Sequence, residues 1–125
     1  MGEKILIRSG EIEMGAELND SPTAMELFNK LPLHAKVNTW GDEIYFQVPV
    51  SRKLDSTAAE IVQAGELGYW PSGRAFCIFF GPTPISLGDE IRPASAVNVI
   101  GKLIGDASAF KAVHHGDLIE LDVGH

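Results

Sequence analysis

Apolar and polar residues alternate from the start of the chain. Ile5 and Ile7 point to one side of a short strand, and Ile12-Glu13-Met14-Gly15-Ala16-Glu17-Leu18 alternates apolar with polar or small positions in a second. Ser9-Gly10 reads as the hairpin turn between them. Asn19-Asp20-Ser21-Pro22 then reads as a turn and helix start, with Ser21 as N-cap and Pro22 at the first helical position. Ala24, Leu27, Phe28 and Leu31 follow at helical spacing until Pro32 ends the helix. A second hairpin is expected from His34 to Thr39 and Glu43 to Val48, turning at Trp40-Gly41-Asp42, with Ile44, Phe46 and Val48 on one face.

The segment from Ser51 to Ala64 is ambiguous. Thr57 to Glu60 suits a capping box, yet Glu60-Ile61-Val62-Gln63 equally suits a strand, and the reading stays open. Leu67 to Trp70 and Ala75 to Phe80 read as strands around Pro71-Ser72-Gly73. The second of these is apolar on both faces, as a central strand is. After a poorly patterned stretch from Gly81 to Ala96, Val97 to Leu103 is strand-like. Asp106 caps a short helix bearing Ala109, Phe110 and Val113, and Gly116-Asp117 turns into a last strand, Leu118 to Val123. The expectation is a mainly β fold over residues 1–125 as a single domain: a closed eight-stranded antiparallel barrel with two short helices. Closure removes the exposed edges that so small a sheet would otherwise carry.

Composition narrows the function classes. At 125 residues, 45% hydrophobic and 22% charged, the chain can bury one real core. Ten Lys and Arg against 17 Asp and Glu give a net charge of −7, and no basic run exceeds Arg52-Lys53, so nucleic acid is not an expected partner. The apolar stretch before Arg8 is too short for a signal-peptide core, and the longest apolar run, Ala75 to Gly81, is far short of a membrane span. A cytoplasmic protein without a membrane partner is expected. Cys77 is the only cysteine and lies inside that run, so it reads as a buried small side chain rather than a reactive thiol.

The densest unusual segment is Tyr69 to Pro84, where five of the ten aromatic residues fall between Tyr69 and Phe80. Phe76, Ile78 and Phe80 read as barrel filling. Arg74 near Trp70 offers a planar cation beside an aromatic face, a pairing suited to a carboxylate, a carbonyl or a peptide backbone. Gly81-Pro82-Thr83-Pro84 forms a stiff loop that presents Thr83 either to a ligand or to a structural turn. No metal or other cofactor is expected: His114 and His115 are adjacent on a turn, and His34, Asp122 and His125 have no ligand spacing to them. No nucleophile elbow, P-loop or dinucleotide-binding glycine motif occurs. Asp42-Glu43 and Asp89-Glu90 lie next to turns, where solvated charge is the ordinary reading.

Tyr69 to Gly73, Phe79 to Pro84 and the block Pro93 to Gly101 resemble the signature of a family of small prokaryotic cyclophilin-like proteins, most of them without an assigned activity. The resemblance covers essentially the whole chain, including Trp40 to Phe46, and it implies a compact cyclophilin fold. Val99 to Leu103, a helix, then Leu118 to Gly124 is similar to the C-terminal part of true cyclophilins, and Gln63 to Leu67 is similar to their Gln-Gly-Gly-Asp-Phe block. Of the cyclophilin prolyl-isomerase residues the resemblance carries over only Gln63. The Phe-His-Arg motif is missing, Val97 stands at the position of their late histidine, and their pocket tryptophan has no counterpart.

Together these readings point to a pocket built from Tyr69, Trp70, Arg74, Phe79 and Thr83, joined by Trp40, Glu43, Asn98 and Gln63, that binds a peptide or a small carbonyl or carboxylate ligand. Two other readings stand beside it. One is an atypical prolyl isomerase with Arg74 standing in for the missing arginine. The other is an enzyme on a small acidic or amide metabolite with Glu43 as general base.

Overall fold

The structure, a computed structural model, describes residues 2–124. Ten strands form one antiparallel sheet: β1 (Lys4–Ser9), β2 (Ile12–Leu18), β3 (Leu33–Lys36), β4 (Asn38–Thr39), β5 (Glu43–Gln47), β6 (Ala58–Ala59), β7 (Glu66–Trp70), β8 (Ala75–Phe79), β9 (Val97–Ile104) and β10 (Leu118–Val123). The hydrogen-bonded order is β3-β10-β1-β2-β9-β7-β8-β5-β4, with β6 added to β9. One α-helix, α1 (Pro22–Phe28), and one 3₁₀ helix, Ala107–Ala112, complete the fold. No helix among the described residues is long and apolar enough to cross a membrane.

Two expectations are corrected here, the strand count and the closure. The segment read as one strand from His34 to Thr39 changes partner at Val37. There the backbone N–H donates to the Asp117 carbonyl at 2.8 Å and the carbonyl accepts from Gly116 at 2.8 Å. Residues before Val37 pair with β10, and residues after it pair with β5. One stretch of chain thus serves both ends of the strand path, which leaves no second strand for it to pair with. The ladder is open between β3 and β4, and the covalent chain joins its two edges. The other added strand, β6, comes from the ambiguous segment, which is neither helix nor long strand. Asp55 accepts from the Thr57 N–H at 2.8 Å and hydroxyl at 2.5 Å, holding a turn where a capping box was read.

Helix α1 starts as its sequence dictates, with the Ser21 hydroxyl accepting from the Ala24 N–H at 3.3 Å and Pro22 in the first turn. It stops at Phe28, one turn before the proline, so Leu31 lies beyond it. The helix near Asp106 is a 3₁₀ turn in which the Asp106 carboxylate accepts from the Ser108 N–H at 2.9 Å.

Side-chain alternation sorts the apolar residues into two cores. On the inner face Ile5, Ile7, Leu18, Ile44, Phe46, Leu67, Phe76, Ile78, Ile100 and Leu121 pack with Leu27 and Phe110 from the helices. On the outer face of β5, β8, β7 and β9 a smaller core forms from Ala75, Cys77, Phe79 and Val97, covered by Val62 and Ile91. Strand β8 therefore buries every side chain it has. Gly68 is required between the two outer-face neighbours: a Cβ there would lie 3.0 Å from Val97 and 3.1 Å from Phe79.

Asn98 is fully buried on β9. Its Oδ1 accepts from the Asp55 N–H at 2.9 Å, and its Nδ2 donates to the Lys53 carbonyl at 3.0 Å and the Thr23 hydroxyl at 3.1 Å. One amide thus ties the 53–55 loop and α1 to the sheet. Asn98→Ala strands these partners, and we expect it to lower stability by about 2 to 4 kcal/mol, since several buried polar groups lose their bonds at once. A urea titration checks this: the midpoint should fall with little change in slope.

Candidate functional site

The turn Trp40-Gly41-Asp42 returns the chain into β5 at Glu43, with the Trp40 N–H donating to the Glu43 carbonyl at 3.0 Å. Period-two alternation then puts Glu43 and Tyr45 on the same outer face. In register beside them lie Phe79 and Cys77 of β8, and next in the sheet Gly68 and Trp70 of β7. The loop from Gly81 to Ala96 folds back over this face. Its course is fixed by the Ser86 hydroxyl, which accepts from the Thr83 N–H at 2.9 Å and the Arg92 N–H at 3.0 Å, and by the Thr83 hydroxyl donating to the Arg92 carbonyl.

Where the loop meets the sheet a cavity of about 230 Å³ remains, lined by Trp40, Glu43, Tyr45, Trp70, Pro93, Ala94 and Val97. Trp70 is held from three directions. Its Nε1 donates to the Ser95 hydroxyl at 2.6 Å, and its ring meets that of Tyr45 edge-on, centroids 6.4 Å apart and planes at 80°. Gly73 lies under the indole so closely that a Cβ there would sit 2.7 Å from the ring.

Glu43 is the charged group of this cavity, and it is only 6% exposed. Among the described residues no Lys, Arg or His comes within ion-pair distance of it. Burial raises its carboxyl from the ordinary 4.5 to about 7, while a hydrogen bond with the Cys77 thiol pulls in the opposite direction. The thiol has one hydrogen and a second acceptor, the Ala75 carbonyl at 3.8 Å. An ionised Glu43, the stronger acceptor, competes for it. Burial and the neighbouring carboxylate both push the Cys77 thiol well up, so it stays protonated and is no nucleophile.

The structure brings together three of the residues singled out from sequence, Trp40, Glu43 and Trp70. Phe79 packs directly beside them in the outer core. The rest are placed elsewhere. Tyr69 turns to the inner face, where its hydroxyl donates to the Val50 carbonyl at 2.5 Å. Asn98 spends its polar atoms on α1 and the 53–55 loop, and Thr83 on its own loop. Gln63 borders a separate cleft with Asp106 and Ser108.

Arg74 is separated from Trp70. It closes the β7–β8 turn at a φ of +49°, next to Ala75, which shares the outer face with Trp70. Arg74 instead borders a cleft with Glu26, Gln47 and Pro49, so the arginine-and-tryptophan pair does not form. Arg74 sits in the turn rather than on a strand, and its left-handed backbone directs the side chain away from the outer face. Tyr45, Pro93, Ala94 and Val97 were not singled out. Tyr45 carries a usable signal, because it stands two residues after Glu43; Pro93 and Ala94 reach the site through a loop whose path has no local pattern. Among the described residues no three His, Cys, Asp or Glu cluster to hold a metal ion, and His125 lies outside the described residues.

A family profile described as Cyclophilin-like matches residues 3–122. The solution structure of the hypothetical protein AF2241 from Archaeoglobus fulgidus superposes with a TM-score of 0.83 at 36% identity, over 98% of this chain and 95% of that one. No curated protein matches the sequence.

The raised Glu43 carboxyl sets a pH dependence. Between about 4.5 and about 7 the folded chain keeps a proton that the unfolded chain has released, so stability falls as pH rises through that window and levels off above it. The span of 4.5 to about 7 corresponds to a loss of roughly 3 kcal/mol. Glu43→Gln removes the titration. Denaturation at pH 5 and pH 8 should show the variant gaining on the wild type by roughly that amount at the higher pH; a difference independent of pH would mean that Glu43 is solvated.

Proposed function

The chain belongs to the cyclophilin-like family, and from that premise we propose that it is a ligand-binding protein whose site is the cavity between Trp40, Tyr45, Trp70 and the Pro93-Ala94 loop, with Glu43 as its polar anchor. The observation that carries this reading is the concentration of both tryptophans of the chain around one buried carboxylate. A pocket that is mostly apolar with one placed polar group is the usual form of a small-molecule site. At about 230 Å³ the cavity has room for a ligand of about eight heavy atoms, taking roughly 30 Å³ for each water-sized unit. That is one side chain or one small molecule rather than a length of peptide.

The anchor reverses the sign of the expected ligand. An arginine would have favoured a carboxylate or carbonyl, but Arg74 lies at another cleft and the cavity carries an acid instead. Above a pH of about 7, where Glu43 is ionised, the buried carboxylate repels anions and accepts hydrogen bonds, so a ligand bound there must bring a donor. The same placement argues against prolyl isomerisation, because the guanidinium that would have replaced the missing Phe-His-Arg arginine is not at the aromatic site.

Two measurements test this. Small fragments screened by ligand-observed NMR should include binders that Trp70→Leu weakens tenfold or more, since a fixed indole wall is the kind of residue that dominates binding. Fragments that bind the variant as well as the wild type would remove the cavity from consideration. In a protease-coupled assay on Xaa-Pro peptides, micromolar protein should give the rate of buffer; a protein-dependent acceleration abolished by Trp70→Leu would restore the isomerase reading.

A further inference from the structure

Resting on the reading of this cavity as the ligand site, we propose that its ligand is a compact organic ammonium ion, held among the aromatic side chains of Trp40, Tyr45 and Trp70 and neutralised by Glu43. An aromatic ring carries a negative face, and aromatic walls around an alkylated nitrogen are the arrangement by which quaternary ammonium groups are recognised. Three aromatic residues and one carboxylate line a single cavity here, and among the described residues no side-chain cation already occupies the carboxylate.

The alternatives fit less well. An anion would face both the carboxylate and the ring faces. A hard metal ion needs several oxygen ligands, and Glu43 is the only carboxylate in the lining. A neutral apolar molecule would fill the walls but give the Glu43 carboxylate neither a donor nor a countercharge, so the acid would have to take up a proton. The net charge of −7 also raises the local concentration of cations around the molecule.

Both tryptophans of the chain line this cavity, so intrinsic fluorescence reports on it directly. The test compares choline with its neutral isostere 3,3-dimethylbutan-1-ol, which has the same shape and hydroxyl but no charge, by fluorescence titration confirmed by calorimetry at pH 8. We expect choline to bind at least about tenfold tighter, given one cation–aromatic contact and one desolvated countercharge. In Glu43→Gln that preference should fall to about twofold, the residual aromatic contribution.

Equal or tighter binding of the isostere to the wild type would overturn the ammonium assignment while leaving the cavity as a ligand site. Absence of any response to either probe at tens of millimolar would overturn both. Should Glu43→Gln fold poorly, the wild-type comparison decides alone.

Discussion

Strand β8 buries all five of its side chains, Phe76 and Ile78 toward the main core and Ala75, Cys77 and Phe79 toward the other face of the sheet. That two-sided burial governs the surrounding architecture. An antiparallel sheet ordinarily leaves one face to water, and here that face is too apolar to be left. No helix covers it. The cover comes instead from irregular chain, Val62 and the long loop carrying Ile91 and Pro93, bridged by the Val62 N–H donating to the Ile91 carbonyl at 3.0 Å. Loops that run over an apolar surface must satisfy their own backbone groups, and the Thr83, Ser86 and Arg92 hydrogen bonds do that here. Irregular chain fits a sheet less closely than a helix does, and the cavity is the space left where the loop meets Trp40 and Trp70.

Glu43 is the residue least explained by folding. A glutamine or an apolar side chain at this position would avoid the cost of taking a carboxylate out of water, a cost that appears in the raised carboxyl of Glu43. The rest of the outer core is locally consistent: small residues where strands approach, rings where space is larger, a protonated thiol beneath. A single position that breaks the local rule without a compensating countercharge is where function is to be sought. Asp55 makes the contrast. It too is partly desolvated, but hydrogen bonds from Thr57 and Thr23 outweigh burial and hold its carboxyl below the usual range, so its charge belongs to the loop and has no need of a ligand.

Much of the sheet could be read locally. Alternation in Lys4–Ser9, Ile12–Leu18 and Leu118–Val123, the doubly apolar β8 and the Ser21-Pro22 helix start each carry a signal confined to a few residues. What was not legible depends on partners far along the chain. Val37 is an ordinary strand residue in sequence, and only the positions of β10 and β5 on its two sides make it the point where pairing changes. Arg74 and Trp70 are close in sequence, yet a tight turn with a left-handed residue sends their side chains to different faces. The sequence offers Glu43 both as solvated turn charge and as a pocket contributor, and nothing nearby in sequence decides between them, because the loop that covers it starts near residue 81.

The cavity has two walls of different physical origin. Glu43, Tyr45, Trp70 and Val97 stand on strands, so their positions are fixed by the ladder, and shifting one by a residue would turn it to the inner face. Pro93 and Ala94 stand on the covering loop, tied to the strand wall through the Ser95 hydroxyl on Trp70. A change on the strand wall disturbs the outer core that makes the fold possible, whereas a change at Ala94, exposed on the loop wall, alters mainly the shape of the cavity. The strand wall therefore holds the chemistry of the cavity, aromatic side chains around an acid, and the loop wall its size.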